Sequence, residues 1–294
     1  MANEILRVEH LKKYFKTPGG SLHAVDDVGF TIDEGKTLGV VGESGCGKST
    51  LGRTVLGLLP ATDGKIYFKG EDVTQAKGRR RRELQMEMQI IFLDTYSSLN
   101  PRYCIYELIA DPLKTYHIYK SRDELKKRVA ELMDTVGIAK RFANSYPHEM
   151  DGGRRQRIGV ARALILEPEF IVCDEPVSAL DVSIQAQILN LLLDIQEEKK
   201  LTYIFVTHDL SVAKFISTNI MVMYLGHMVE YAPAEELFNN PVHPYAKALL
   251  SAVPIPDVDH DRKRILINGE VTSPVNPKPG CRFASRCPYA TEEC

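Results

Sequence analysis

The chain has 294 residues, 44% of them hydrophobic and 26% charged, with 37 basic against 39 acidic side chains and a net charge of −2. Its length exceeds one average domain, so one large α/β unit with an appendage, or two units, is expected. The balanced charge gives no general pull toward nucleic acid, no apolar run approaches the ~18 residues of a membrane span, and Met1-Ala2-Asn3-Glu4 lacks the basic and apolar regions of a secretory leader.

Residues 5–40 alternate apolar and polar side chains, punctuated at Pro18-Gly19-Gly20 and Glu34-Gly35, which predicts antiparallel strands leading into an apolar strand from Thr37 to Val41. Gly42-Glu43-Ser44-Gly45-Cys46-Gly47-Lys48-Ser49 follows at once and fits the spacing G-x-x-x-x-G-K-[ST], with a helix-compatible stretch from Thr50 to Leu59 behind it. Strand, glycine loop and helix in that order form the phosphate cradle of a P-loop nucleotidase. The glycines let successive backbone N–H groups face a triphosphate, the helix directs its positive end at it, and Lys48 adds a point charge. Ser49 is the expected magnesium ligand, with Thr50 behind it. A bare Gly-rich turn is the bland alternative, and the strand and helix on either side count against it. The loop places the chain where ATP is, in the cytoplasm.

Ile66-Tyr67-Phe68 continues the antiparallel sheet. Arg79-Arg80-Arg81-Arg82 is the one dense basic block, and without interleaved aromatics it reads as solvated helix or loop surface. Leu125, Val129, Leu132, Met133 and Val136 recur at helical spacing between Ser121 and Val136, where Gly137 supplies a stop. Phe170 to Cys173 and Tyr203 to Val206 are short branched apolar runs followed by helical segments at Ile184 to Lys199 and Ser211 to Ile216, the alternation of buried parallel strands with crossover helices. Asp174 ends the first run and suits the magnesium site. Glu175 beside it suits a general base, against the bland alternative of a helix cap. His208 ends the second run and suits a γ-phosphate contact, against that of a structural histidine. Beyond about Pro254 the chain turns Pro- and charge-rich, which marks a boundary, and no internal repeat is visible. Cys46, Cys104 and Cys173 are scattered, whereas Cys281, Cys287 and Cys294 fall within the last fourteen residues, a spacing more suggestive of thiolate ligands than of disulfides.

With Ser178-Ala179-Leu180-Asp181, Thr207-His208-Asp209, and Gly152-Gly153 before Arg155-Gln156-Arg157, the chain resembles the ATPase subunits of ABC transporters over nearly its whole length. The resemblance implies a RecA-like α/β P-loop core with an antiparallel β subdomain and a helical subdomain at about 95–160. Residues 1–254 would form the ATPase domain and 255–294 a C-terminal extension. It implies that Gly42 to Thr50 bind the nucleotide, that Asp174 is the magnesium aspartate, Glu175 the base, Asp181 the D-loop aspartate and His208 the switch histidine. Phe15 would stack on adenine, with Tyr14 as second choice and strand packing as the bland alternative. Asn240-Pro241-Val242-His243-Pro244-Tyr245-Ala246 and the cysteine-bearing end from Gly280 to Cys294 resemble the oligopeptide, dipeptide and nickel importer branch.

Some members of that branch carry an iron–sulfur cluster on such cysteines. A cluster needs four thiolates as a rule, so either the chain continues past Cys294 to a fourth ligand or the three serve another purpose. The implied partners are a second, homologous ATPase subunit, two transmembrane permease subunits and, indirectly, a substrate-binding protein, at the cytoplasmic face of the membrane.

Two departures fall on nucleotide-handling positions. Asp151-Gly152-Gly153-Arg154 stands where the family's signature usually reads Ser-Gly-Gly-Gln, and Leu93 stands where a glutamine normally precedes Asp94. The signature serine donates to the γ-phosphate of ATP held by the opposite subunit, whereas an ionised carboxylate has no proton to donate and repels phosphate. Leucine cannot perform the glutamine's polar role. The expectation is ATP binding with asymmetric or slowed hydrolysis. Two alternatives follow: a regulatory subunit that hardly turns over, and a non-transport ABC ATPase, against which stand the single P-loop and the peptide-importer-like tail.

Overall fold

Alternating side chains in β1 (Glu4–Thr17) and β2 (Gly20–Asp33) bury one face of an antiparallel pair, joined by the turn at Pro18-Gly19. β4 (Asp63–Phe68) pairs with β1, and short β5 (Glu71–Asp72) completes a four-stranded sheet in the order β2-β1-β4-β5. In the computed structural model, residues 3–93, 98–253, 265–267, 269 and 273–294 are described. The chain divides into two compact units, Met1–Ala76 with Ile204–Cys294, and Lys77–Tyr203.

The first unit also holds β3 (Thr37–Val41), buried along its whole length and paired in parallel with β9 (Asn219–Tyr224), which pairs antiparallel with β10 (His227–Pro233). A strand buried on both faces must be apolar throughout, which is why Thr37 to Val41 shows no alternation. β3 feeds α1 (Lys48–Val55). β8 (Thr202–Val206) ends in this unit, where the Thr207 N–H donates to the Val40 carbonyl at 3.1 Å, and α7 (Leu210–Ile216) follows. α8 (Ala234–Asn239) and α9 (Pro244–Ser251) close the unit's helical side.

A core of Val41, Ile220, Val222, Tyr224, Tyr245, Leu250 and Phe283 joins the P-loop strand to the last stretch of the chain. Phe283 is 2% exposed, and burying such a ring contributes about 2 kcal/mol or more. Farther back, the Pro274 carbonyl accepts from His23 N–H at 3.0 Å and Asn276 N–H donates to the Ser21 carbonyl at 2.8 Å, which lays 274–276 along the edge of β2. Residues 273–294 thus pack as part of the P-loop's own unit. The sequence-expected boundary near Pro254 lies outside the described residues.

The second unit pairs β6 (Met88–Ile91) in parallel with β7 (Phe170–Asp174) and carries α2 (Gly78–Glu87), α3 (Ile105–Tyr116), α4 (Arg122–Thr135), α5 (Gly152–Leu164) and α6 (Val182–Lys199). α4 lies where periodicity puts it. The Ser121 hydroxyl accepts from Glu124 N–H at 3.1 Å, and Gly137 at φ +72° ends it. α2 carries the arginine block on its surface, where Arg79 bonds Glu83 and Arg80 bonds Glu87, each at 2.8 Å. α3 runs through Pro112, which masked it in the sequence, since an interior proline removes a helical hydrogen bond.

Candidate functional site

The phosphate loop is fixed by what surrounds its glycines. A Cβ on Gly42 would sit 2.2 Å from the Met223 carbonyl oxygen, and one on Gly47 would sit 2.0 Å from that of Ala24. Gly45 has open space around it, so its φ of +78° is the reason a side chain is excluded there. Gly47 is also the N-cap of α1 and offers no side chain to the helix's first N–H groups, which leaves that positive end open to an anion. Lys48 is 4% exposed and donates from Nζ to the Gly42 and Glu43 carbonyls at 2.9 and 3.1 Å. The cation is thereby folded onto its own loop, ready to exchange two carbonyls for phosphate oxygens. Cys46 is buried, and burial pushes its thiol above the ordinary range, so it packs rather than reacts. Ser44 is exposed, and Ser49 and Thr50 are half-buried at the start of α1.

Phe15 and Tyr14 are adjacent on β1, so their side chains take opposite faces. Tyr14 is committed elsewhere: its ring stacks on His23 with centroids 3.8 Å apart, and its hydroxyl donates to Asp26. Phe15 is half-buried with the Lys13 ammonium 4.8 Å from its ring centroid, an aromatic face suited to adenine stacking. His208 is exposed directly after the bond that ties Thr207 to Val40, so it emerges beside the strand that leads into the phosphate loop. Asp209 then caps α7 through Ser211 N–H at 2.8 Å.

In the second unit Asp174 is 3% exposed at the end of β7, and Glu175 follows in the left-handed region at φ +49°. A β-carbon in that region costs energy, so the turn that presents Glu175 is strained. Asp151 accepts from Arg154 N–H at 2.8 Å and pairs with Arg154 Nε at 3.4 Å, capping α5. Arg154 also lies over the Phe142 ring at 4.8 Å. Asp181 caps α6 through Ile184 N–H at 3.0 Å. The two segments touch: a Cβ on Gly152 would lie 3.2 Å from Leu180 Cδ2, and one on Gly153 would lie 2.6 Å from Ile184 Cγ2. Leu93 is 43% exposed, and Asp94 lies outside the described residues.

Among the described residues the expected iron–sulfur ligand set is not assembled. Among the described residues no group of three or more His, Cys, Asp or Glu side chains is gathered to hold a metal ion. Cys281, Cys287 and Cys294 supply three thiols where a cluster takes four. The Cys287 sulfur accepts from Tyr289 N–H at 3.4 Å, and the Cys294 sulfur lies 3.7 Å from the Thr291 hydroxyl.

Sequence patterns gave no sign of a second layer around the phosphate loop. Asp26 receives hydrogen bonds from Tyr14 and Arg282, and its Oδ2 lies 3.0 Å from His23 Nδ1 and 3.4 Å from His227 Nε2. Burial pushes the Asp26 carboxyl up, but hydrogen bonds from Tyr14 and His23 and the Arg282 charge outweigh it and hold it at about 2. Arg286 and Tyr245 bond Glu43 within the loop itself. Tyr14 and His23 are near neighbours of Asp26, but Arg282, His227, Arg286 and Tyr245 lie more than two hundred residues from the groups they hold, so no local spacing announces those four.

Residues 25–178 match the family described as ABC transporter, and residues 229–294 match the oligopeptide/dipeptide transporter C-terminal region. The chain is 55% identical over 285 residues to the oligopeptide transport ATP-binding protein OppF of Salmonella typhimurium, an alignment covering 96% of this chain and 85% of that one. It is 54% identical over 266 residues to the OppF of Bacillus subtilis, covering 90% and 87%. Among solved structures it is similar to the dimeric post-hydrolysis state of the ATP-binding cassette MJ0796 bound to ADP and Pi, with a TM-score of 0.71 at 28% identity over 78% of this chain and 99% of that one. It is likewise similar to cbiO1 from Clostridium perfringens, part of the ABC transporter complex cbiONQ, with a TM-score of 0.71 at 27% identity over 81% and 92%.

Proposed function

We propose, for a chain that belongs to the ABC transporter ATPases and carries the oligopeptide/dipeptide-type C-terminal region, that it hydrolyses ATP to power import of oligopeptides across the cytoplasmic membrane. The observation that carries this reading is the phosphate loop, with two glycines that admit no side chain, an uncapped helix start and a buried lysine. Nickel complexes recede as the cargo because the most similar relatives reported above are named for oligopeptide transport.

In this reading the N–H groups of Gly45 to Ser49 cradle the triphosphate, and Lys48 leaves the Gly42 and Glu43 carbonyls to meet it. Phe15 stacks on adenine. Ser49 and Asp174 are the residues that would hold magnesium, which when bound neutralises phosphate charge. Glu175 orients the attacking water and takes its proton, and His208 contacts the γ-phosphate. Gly152 and Gly153 with Asp181 serve the site of a facing subunit, where Asp151 supplies a carboxylate in place of a hydroxyl donor. A heterodimer with a sister ATPase suits this asymmetry, because the sister can supply a serine-bearing signature to the ATP held here. Two permease subunits complete the importer, with a substrate-binding protein delivering cargo and the helices near 95–160 passing the motion on. None of the described helices is long and apolar enough to cross a membrane. In this reading the subunit works at the membrane's cytoplasmic face through those partners.

Steady-state ATP hydrolysis by the chain, alone and with its sister and permease subunits, tests the reading. Turnover that rises with the partners and vanishes in Glu175→Gln supports it. Tight ATP binding without Glu175-dependent turnover would move the chain to a regulatory role.

A further inference from the structure

Glu43 places a carboxylate inside a loop built to receive a polyanion, and its charge opposes that task. The structure gives it a dedicated counter-charge. Arg286 Nη1 lies 3.1 Å from Glu43 Oε2 and 3.4 Å from Oε1, and its Nη2 lies 3.4 Å from Oε1, so the guanidinium spans both carboxylate oxygens. The Arg286 side chain is 9% exposed and that of Glu43 is 31% exposed, a pair screened much less by solvent than a surface one.

The arginine is itself held in place. Its Nη1 also lies 3.4 Å from the Tyr224 hydroxyl, and Tyr224 packs edge-on against Tyr245 and Phe283 at 4.8 and 5.2 Å. Tyr245 accepts from the Glu43 backbone N–H at 2.9 Å, so the same aromatic cluster grips the main chain and, through Arg286, the side chain of one loop residue. Four residues before Arg286, Arg282 bonds Asp26 and the Leu225 carbonyl, beside Gly226, whose N–H donates to the Cys46 carbonyl at 2.8 Å. Burial opposes the charge on Arg286, but hydrogen bonds with Tyr224 and Glu43 outweigh it and raise its pKa.

We infer that Arg286 is a positioning residue for ATP, neutralising and holding Glu43 so that the phosphate loop binds a triphosphate with full affinity only when the segment around residues 282–286 is docked on it. This rests on the reading of residues 42–49 as the nucleotide loop and deepens it: the C-terminal region becomes a determinant of nucleotide affinity as well as an appendage of the transporter.

Isothermal titration of the full chain with magnesium-ATP tests it. Arg286→Ala and Arg286→Gln are each expected to weaken binding roughly tenfold, while Arg286→Lys, which keeps the charge, loses less than about threefold. Adding Glu43→Gln to Arg286→Ala removes the carboxylate that needed neutralising, and most of the lost affinity returns. A merely structural prop would give no such rescue. Binding by Arg286→Ala equal to wild type, equal binding by Arg286→Lys and Arg286→Gln, or a double variant as weak as Arg286→Ala each overturns the inference. If Arg286→Ala does not fold, the Lys and Gln variants carry the test. Lys48→Ala separates the two levels: ATP binding undiminished in that variant refutes the nucleotide loop itself, whereas its loss alongside a normal Arg286→Ala refutes the positioning role alone.

Discussion

Two helices of this protein begin at sites that we propose serve the same ligand, and their first turns are finished in opposite ways. α1 starts at Gly47, which gives no side chain to the first N–H groups, while α5 starts at Asp151, whose carboxylate accepts from Arg154 N–H. An open helix start attracts an anion, and one already filled by an internal carboxylate is satisfied and negative. The environments differ as well. The phosphate loop is held by distant groups, the Ala24 and Met223 carbonyls, Tyr245 and Arg286. The signature loop is held by its own cap and by the neighbouring α6. In the proposed reading the first site binds phosphate and depends on distant parts of its unit, and the second is built locally and carries a charge that phosphate disfavours.

The largest effect sought is loss of the chemistry with binding retained. Glu175→Gln should lower turnover by about 10²–10⁴-fold, measured as phosphate release, with ATP affinity nearly unchanged. Next comes the steric half of the contrast. Gly47→Ala brings a Cβ to 2.0 Å from the Ala24 carbonyl at φ +107°, so it should cost more than ~3 kcal/mol in a denaturant titration and abolish ATP binding. Ordinary ATP affinity in that variant would break the claim that distant backbone shapes this loop.

The layer behind the loop has a pH signature. Asp26 is held at about 2, below its ordinary 3.8, so folding favours the ionised form. That stability is present in full above about pH 4 and is lost as pH falls toward 2, amounting to about 2 kcal/mol at neutral pH. Melting curves of Asp26→Asn and wild type should therefore lie apart at pH 7 and converge near pH 2. A gap independent of pH would show that the carboxylate's charge is not what the network uses. The smallest effect sharpens the other half. Serine caps a helix as well as aspartate does, so Asp151→Ser should change stability by less than ~0.5 kcal/mol. Turnover with the sister subunit should rise, by about threefold, because a repelling charge becomes a donor. Unchanged turnover would mean that Asp151 already serves its neighbour's site.

Much of this was legible from residues close together in the chain. Leu38 to Val41 carry no polar side chain and, with Thr37, form a wholly buried strand. Leu125, Val129, Leu132 and Met133 face inward on the helix that their spacing predicts. α3 was hidden by Pro112 and half-buried β10 by its lack of strict alternation, whereas Ile220 to Tyr224 in β9 is a buried apolar run of the same kind as Phe170 to Cys173 and was open to the same reading. Tyr245, Arg282 and Arg286 stood inside stretches that were noticed for their family resemblance, yet their tasks could not be seen there. Their partners, Glu43 and Asp26, lie in another part of the chain, and the cysteines beside them drew attention to metal chemistry for which the described residues gather no ligand set.

The sequence by itself determined the phosphate loop, its strand and helix, the acidic pair at the end of β7, and the carboxylate in place of a signature hydroxyl. Each is a matter of a few neighbouring residues whose backbone conformation and charge are local properties. Only the tertiary structure decided that a carboxylate within the loop is neutralised from the far end of the chain. An ion pair is set by distance in space, and folding brings together residues 243 apart that no periodicity connects.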